Sequence, residues 1–129
     1  MLPGNKGKYM ENKRRFSRIA CDDKIIVKFK ENLLEASLLE TSLQGALVAF
    51  KEEVSIQIGD AFQLVLTLKD SDDIVQFKSE VIYKLNNYLG VKFLLLDIES
   101  FGHISRYLEA RSDDPQQIRN EYNQMVQSM

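Results

Sequence analysis

Four cationic side chains and one aromatic ring lie within six residues near the start of the chain: Lys13, Arg14, Arg15, Phe16 and Arg18. Residues 1–18 carry six positive and one negative side chain, a balance of +5, whereas residues 19–129 have a balance of −7. A planar guanidinium can bind a phosphate through two hydrogen bonds, pair with the edge of a guanine, or stack on a base. A cationic arm on an acidic body therefore predicts a localised anion-binding site.

A second polar motif spans residues 40–45. The carboxylate of Glu40 can accept hydrogen bonds from the N1–H and N2–H groups of guanine, and the hydroxyl of Ser42 can bond to a base edge. Gly45 permits a tight turn and a close approach of the backbone to a ligand. This motif therefore offers groups that complement the arginines of the arm.

Tyr83 is a third candidate, near the end of a long predicted strand. An aromatic ring on a sheet surface can stack on a base, which contributes about 1–3 kcal/mol per base. The alternative is an ordinary aromatic residue of the sheet that packs against its neighbours.

The composition argues against several other classes of protein. Cys21 and His103 are the single cysteine and histidine and lie far apart, without the local clustering of a zinc site or a motif that supports a nucleophilic pair. No apolar run approaches the ~20 residues of a membrane span. The first residues lack the apolar core of a signal peptide, and a lone cysteine forms no internal disulfide. We therefore expect a cytoplasmic protein that is not an enzyme and needs no metal or cofactor.

Six stretches have the β-branched or alternating apolar pattern of strands. They cover residues 24–30, 33–40, 46–50, 62–68, 74–85 and 88–95. The third stretch is apolar throughout, which predicts a fully buried strand. Glu31-Asn32 and Asn86-Asn87 are the predicted hairpin turns, the latter because Asn tolerates positive φ. Short strands joined by short turns predict a mainly β protein, an antiparallel sandwich or barrel.

The last third of the chain has helical spacing. Asp97 is the predicted N-cap of a helix whose apolar side is Ile98, Phe101, Ile104, Tyr107 and Leu108. Gly102 costs such a helix about 1 kcal/mol relative to Ala, which predicts close packing against the barrel. Asp114 and Pro115 are the N-cap and first residue of a final helix. That helix extends to about Ser128 and has few apolar residues, so we expect it to dock loosely or to serve a partner.

The two polar motifs, in this order, resemble those of the PilZ domain. Arg14 and Arg18 form RxxxR, and residues 40–45 fit [D/N]xSxxG except that Glu40 replaces Asp or Asn. A β-rich segment ending in Leu89-Gly90-Val91-Lys92-Phe93 follows, and the likeness covers about residues 13–108. The resemblance implies a six-stranded antiparallel β-barrel with C-terminal α-helices that binds the bacterial second messenger cyclic di-GMP. The ligand contacts it implies are Lys13, Arg14, Arg15, Arg18, Glu40, Ser42, Gly45 and Tyr83.

The resulting organisation has a flexible lead at 1–12, a PilZ-like barrel with its first helix at 13–111, and a terminal helix at 112–129. The expected function is a cyclic di-GMP receptor whose arm closes over the ligand and alters a surface for a downstream protein partner that the sequence does not identify. One alternative is a protein-interaction module that has lost the ligand, which Glu40 favours because it reaches one methylene further than Asp. A single-stranded nucleic-acid binder is a further alternative that the acidic body disfavours, so we expect no DNA partner.

Overall fold

A closed barrel of six antiparallel strands forms the body of the protein. The computed structural model describes residues 16–67, 74–94 and 98–127. The strands follow the order β1-β2-β3-β6-β5-β4 around the barrel. Their bounds are β1 (Ile19–Phe29), β2 (Asn32–Thr41), β3 (Gly45–Ala49), β4 (Ala61–Thr67), β5 (Ile74–Leu85) and β6 (Tyr88–Phe93). Two helices follow, α1 (Ile98–Arg111) and α2 (Pro115–Gln127). The predicted six-stranded antiparallel barrel with C-terminal helices is confirmed.

Alternation of apolar and polar residues sends one face of each strand into the barrel. Fully buried side chains from all six strands meet there, among them Val27, Leu38, Val48, Leu64, Phe77 and Leu89. Phe77 also stacks on Phe93, with ring centroids 5.2 Å apart. The prediction that residues 46–50 are fully buried is wrong, because Leu47 and Ala49 are half-buried on the outer side of β3 and Ala46, which packs against the core, is also only half-buried.

The hairpin between β1 and β2 turns one residue earlier than predicted. Lys30 and Glu31 form the turn, Lys30 has a φ of 56°, and Phe29 pairs with Asn32. Val27 and Phe29 lie on the inner face, as the alternation of β1 predicted. The turn predicted at Asn86-Asn87 is confirmed, with Asn86 at a φ of 55°.

Strand β1 begins five residues earlier than the predicted stretch, at Ile19. The alternation is broken by a register shift between Ala20 and Asp23. A bulge of this kind interrupts the inside–outside pattern, which is why the pattern alone did not identify the first part of the strand.

Helix α1 is fixed to this irregular part of β1 by a polar cluster. The hydroxyl of Tyr107 donates a hydrogen bond to Asp23, and Nη2 of Arg111 lies 2.8 Å from the same carboxylate. The guanidinium of Arg111 also lies 3.8 Å from the centre of the Tyr107 ring. Burial, followed by the bond to Asp23, raises the pKa of Tyr107 well above its usual range, so the phenol stays a donor.

Helix α2 docks more firmly than the sequence predicted. Asp114 caps it, with Oδ1 accepting from the backbone N–H of Gln117 at 3.3 Å, and Pro115 is its first residue, both as predicted. Ile118 is fully buried and Glu121 nearly so. The expectation of loose docking is therefore wrong, because the buried carboxylate of Glu121 forms hydrogen bonds in addition to the apolar packing of Ile118. The N-cap predicted at Asp97 lies outside the described residues.

Two glycines differ sharply in the space around them. A Cβ placed on Gly45 would lie 2.2 Å from the carbonyl oxygen of Val91, a distance that forces the backbones of β3 and β6 apart. A Cβ on Gly102 would meet Nη1 of Arg106 at 3.5 Å and the hydroxyl of Tyr122 at 3.7 Å, which is ordinary contact. The prediction that Gly102 packs closely against the barrel is therefore wrong, because the position faces side chains of the two helices.

Gly45→Ala is expected to destabilise the protein by about 1–3 kcal/mol, because the new methyl group meets a main-chain oxygen. Gly102→Ala is its matched control and is expected to stabilise by up to about 1 kcal/mol, because the helix gains propensity without a clash. Urea unfolding followed by circular dichroism measures both. An unchanged midpoint for Gly45→Ala would contradict the close approach of β3 to β6.

Candidate functional site

An ion pair marks the place where the arm meets the barrel. Nη1 of Arg18 lies 3.8 Å from Oε1 of Glu40, and the two side chains are 42% and 40% exposed. Arg18 directly precedes β1, and the β1–β2 register pairs Ala20 with Glu40. The antiparallel pairing thus carries an arm residue to the end of β2, as the two motifs predicted.

This ion pair lines a surface depression with two further arm residues, Phe16 and Ser17. The depression has a volume of about 500 Å³, within the range of small-ligand sites. Phe16 is 5% exposed and belongs to the hydrophobic core. The arm is therefore anchored at Phe16, and its charged groups are presented from a fixed point.

Ser42 shapes the turn between β2 and β3. Its Oγ accepts hydrogen bonds from the backbone N–H groups of Gln44 at 3.1 Å and Gly45 at 3.3 Å. The N–H of Ser42 donates to the oxygen of Gly45 at 2.9 Å, and Oγ1 of Thr41 donates to that oxygen at 3.0 Å. Since both contacts of Ser42 Oγ use it as an acceptor, its hydrogen can donate to a ligand.

Gly45 makes its close approach to β6. It pairs with Lys92 at the start of β3, next to the carbonyl of Val91. Its role in this structure is to let the second motif lie against the barrel wall. A direct ligand contact of Gly45 stays a prediction.

A row of four outward positions joins Glu40 to Tyr83 across four strands. Glu40 pairs with Leu47, Leu47 with Gly90, and Gly90 with Tyr83. Three steps between neighbouring strands span roughly 14 Å. Tyr83 is 48% exposed, and a Cβ on Gly90 would lie 3.1 Å from its Cβ and 3.5 Å from its Cδ2. The ring of Tyr83 thus leans over a glycine, and an apolar floor connects the ring to the ion pair.

The sequence analysis assigned no ligand contact to Leu47 or Gly90. Their shared row depends on the pairing of three strands, which no local pattern specifies. A glycine inside a strand did carry a signal, because such a position often marks a close approach. Lys13, Arg14 and Arg15 lie outside the described residues.

The residues that could support other chemistry do not assemble in the described part of the chain. Burial raises the pKa of the Cys21 thiol, whose Sγ donates to the oxygen of Ile19 at 3.3 Å. His103 lies on α1, with Nδ1 2.9 Å from Arg106. Within residues 16–67, 74–94 and 98–127 no group of three or more metal-ligating side chains occurs, and no helix there is long and apolar enough to cross a membrane.

A second cavity, of about 370 Å³, lies further along β1 and β2. Its walls include Ile26, Leu39, Ala49 and Tyr88, and it shares no residue with the depression at Arg18. Its lining is mainly apolar. We place the candidate site at the depression, because the cation of Arg18 and the carboxylate of Glu40 meet there.

Comparison with known families agrees with the motifs and the barrel. A family model described as the PilZ domain matches residues 12–110. No protein with a curated description matches the chain significantly.

Solved structures share the fold at low sequence identity. The PilZ domain of YcgR from Escherichia coli, solved with c-di-GMP, has a TM-score of 0.65 and 17% identity over 76% of this chain and 90% of that chain. The inhibitor of motility MotI/DgrA from Bacillus subtilis has a TM-score of 0.63 and 15% identity over 76% of this chain and 50% of that chain. The PilZ domain of CeSA from a cellulose-synthesizing bacterium has a TM-score of 0.60 and 12% identity over 71% of this chain and 94% of that chain. The chain thus spans about half the length of MotI/DgrA.

Arg18→Ala is expected to leave the free energy of unfolding within about 1 kcal/mol of the wild type, because an exposed ion pair at this distance contributes little. Thermal unfolding at low and at high salt measures it. A loss well beyond that value would show that Arg18 is a structural residue and would contradict its assignment to the site.

Proposed function

Since the chain belongs to the PilZ family, as its two motifs predicted, we propose that it is a non-enzymatic receptor for cyclic di-GMP. The observation that carries the proposal is the meeting of Arg18 and Glu40 at one depression, at the end of the strand that leads into the Ser42 turn. The structures of YcgR and of the Borreliella burgdorferi PlzA protein, both described in complex with c-di-GMP, support it by analogy. The predicted cytoplasmic location is part of this proposal.

The arm supplies the phosphate- and guanine-binding groups. Arg18 already faces the depression and would bind a phosphate or a guanine edge through its planar fork. The motif pairs Arg14 with Arg18, and we infer that both would bind one small dianionic ligand, with Lys13 and Arg15 as neighbouring contacts.

The barrel supplies the facing half of the site. Glu40 would accept from the N1–H and N2–H groups of guanine, and the hydroxyl hydrogen of Ser42 would donate to a base edge. Leu47 and Gly90 would form the floor under the ligand, with Tyr83 stacking at the far end of the row. Gly45 lets the backbones of β3 and β6 approach closely next to this wall.

A second candidate function is a PilZ-like interaction module that binds no nucleotide. The observation that favours it is the contact between Glu40 and Arg18. Each of these side chains binds the other and so competes with a ligand that would contact both. The contact is exposed, however, and exposed pairs contribute only about 0–1 kcal/mol. A ligand that offers phosphates to Arg18 can therefore displace it at little cost, and the receptor is the stronger candidate.

Isothermal titration of the whole protein tests the proposal. Cyclic di-GMP is expected to bind with measurable heat at tens of micromolar, whereas GTP as a control is not. Arg18→Ala is expected to weaken binding by at least about tenfold, because a charge-assisted hydrogen bond contributes about 1.5–3 kcal/mol. Arg119→Ala removes an exposed arginine of α2 that pairs with Glu109 and should change nothing. Absence of heat with the wild-type protein would overturn the proposal in favour of the module.

Glu40→Asp is expected to strengthen binding by up to about fivefold. The shorter side chain loosens the pair with Arg18, whose contribution of about 0–1 kcal/mol sets the limit of the gain. Glu35→Asp is the matched control, since Glu35 is an exposed residue of the same strand outside the depression. Weaker binding of Glu40→Asp would mean that the longer carboxylate is needed for guanine and would contradict its role as a competitor for Arg18.

A further inference from the structure

Glu121 of α2 is a buried carboxylate that the proposed site does not use. Only 3% of it is exposed, and it is the one charged residue among the buried side chains of the described ranges. An ionised carboxylate is costly to remove from water unless hydrogen bonds replace its hydration. The buried carboxylate of Glu121 therefore requires hydrogen-bond donors from the protein.

Those donors come mainly from the arm. Oε1 of Glu121 accepts from the backbone N–H of Ser17 at 2.8 Å, and Oε2 accepts from the hydroxyl of Ser17 at 2.6 Å. The side-chain amide of Gln117 donates to Oε2 at 2.9 Å. One carboxylate thus holds a single arm residue by both its main chain and its side chain, across 104 positions of the sequence.

Ser17 lies between the buried Phe16 and the site residue Arg18, and all three line the depression. Holding the N–H and the hydroxyl of Ser17 fixes the direction in which the chain leaves Phe16. That direction determines where the guanidinium of Arg18 can reach. The carboxylate of Glu121 therefore acts on the site through the backbone of the arm.

Helix α2 is a firm support for this contact. Ile118, one turn before Glu121, is fully buried, whereas the partly exposed ion pair between Arg119 and Glu109 of α1 adds little to this support. Helix α1 is in turn fixed to β1 through Tyr107, Arg111 and Asp23. The arm is thus positioned from two sides, by the barrel and by the helical layer.

We propose that Glu121 is a positioning residue of the ligand site, which holds Ser17 so that Arg18 faces the ligand. This inference rests on the proposed function. Because coupling between two equilibria is reciprocal, cyclic di-GMP then strengthens the docking of α2, and anything that detaches α2 weakens the binding of the ligand. The C-terminal helix is accordingly part of the receptor site.

The test compares Glu121→Ala with Glu109→Ala in the whole protein. Both changes remove a carboxylate from the packed helices, but only Glu121 contacts the arm. Titration with cyclic di-GMP is expected to show affinity weakened about tenfold for Glu121→Ala and unchanged within about twofold for Glu109→Ala, as expected from loss of hydrogen bonds to a charged group. Equal affinities for Glu121→Ala and the wild type, or equal losses in both variants, would overturn the proposal.

Ser17→Ala keeps the test decisive if Glu121→Ala folds poorly. It removes the hydroxyl contact alone and is expected to weaken binding several-fold by itself. Where Glu121→Ala folds, combining it with Ser17→Ala is expected to cause no further loss. An additive loss in the double variant, or unchanged affinity in Ser17→Ala, would contradict a shared action through Glu121.

Hydrogen exchange without ligand separates this inference from the proposed function. The Ser17 amide is expected to be protected in the wild type and in Glu109→Ala and to exchange at least about tenfold faster in Glu121→Ala, since its acceptor is lost. If the wild type does not bind cyclic di-GMP, the proposed function fails while this contact still stands. An unprotected Ser17 amide in the wild type would overturn the contact itself.

Discussion

The register of the β1–β2 hairpin is the constraint on which the site depends. The turn at Lys30 and Glu31 pairs Phe29 with Asn32, and the same ladder ends with Ile19 opposite Thr41. Because side chains alternate between the two faces of a strand, a slip of β2 by one residue along β1 would turn Glu40 toward the core and Leu38 toward water. Burial of the apolar face therefore sets a position some ten residues away from the turn, where a cation and a carboxylate meet.

Two carboxylates contact the arm, and their environments give them different roles. Glu40 is 40% exposed and meets Arg18 at 3.8 Å, so its contact is screened by water and readily exchanged for a ligand. Glu121 is 3% exposed and accepts two short hydrogen bonds from Ser17. Breaking that contact would leave the buried carboxylate with the side-chain amide of Gln117 as its remaining donor, which is far more costly. The arm can therefore exchange the partner of Arg18 while Ser17 stays in place.

The sequence allowed the elements to be predicted better than their mutual contacts. Alternating, β-branched or continuous apolar runs located all six strands, and local caps located Asp114 and Pro115, because each signal lies within a few residues of the feature it specifies. The alternation was lost at the bulge between Ala20 and Asp23, where the chain departs from the regular pleat. The turn at Lys30 lies one residue before the predicted turn, because neither Lys30 nor Glu31 is a typical turn residue.

The same limit explains which parts of the site could be predicted. Arg18, Glu40 and Ser42 belong to two short motifs whose spacing is local, and the structure brings Arg18 and Glu40 together. Leu47 and Gly90 share a row with Tyr83 only after β3, β5 and β6 have paired. Glu121 had no local signal, because a glutamate in a polar helix is indistinguishable from a solvated residue until the arm packs on it.

A closed barrel restricts how a bound ligand could be sensed by another molecule. Its strands pair in a closed circle, in which three residue pairs join β1 to β4, so little strand edge is offered for a partner strand. The described elements outside that circle are the arm end at residues 16–18, the connection at residues 50–60, and the two helices. Of these, the arm end and α2 contact each other through Ser17 and Glu121. A change in the arm therefore reaches α2 directly, through hydrogen bonds, whereas it reaches the far strands only through a packed core that resists deformation.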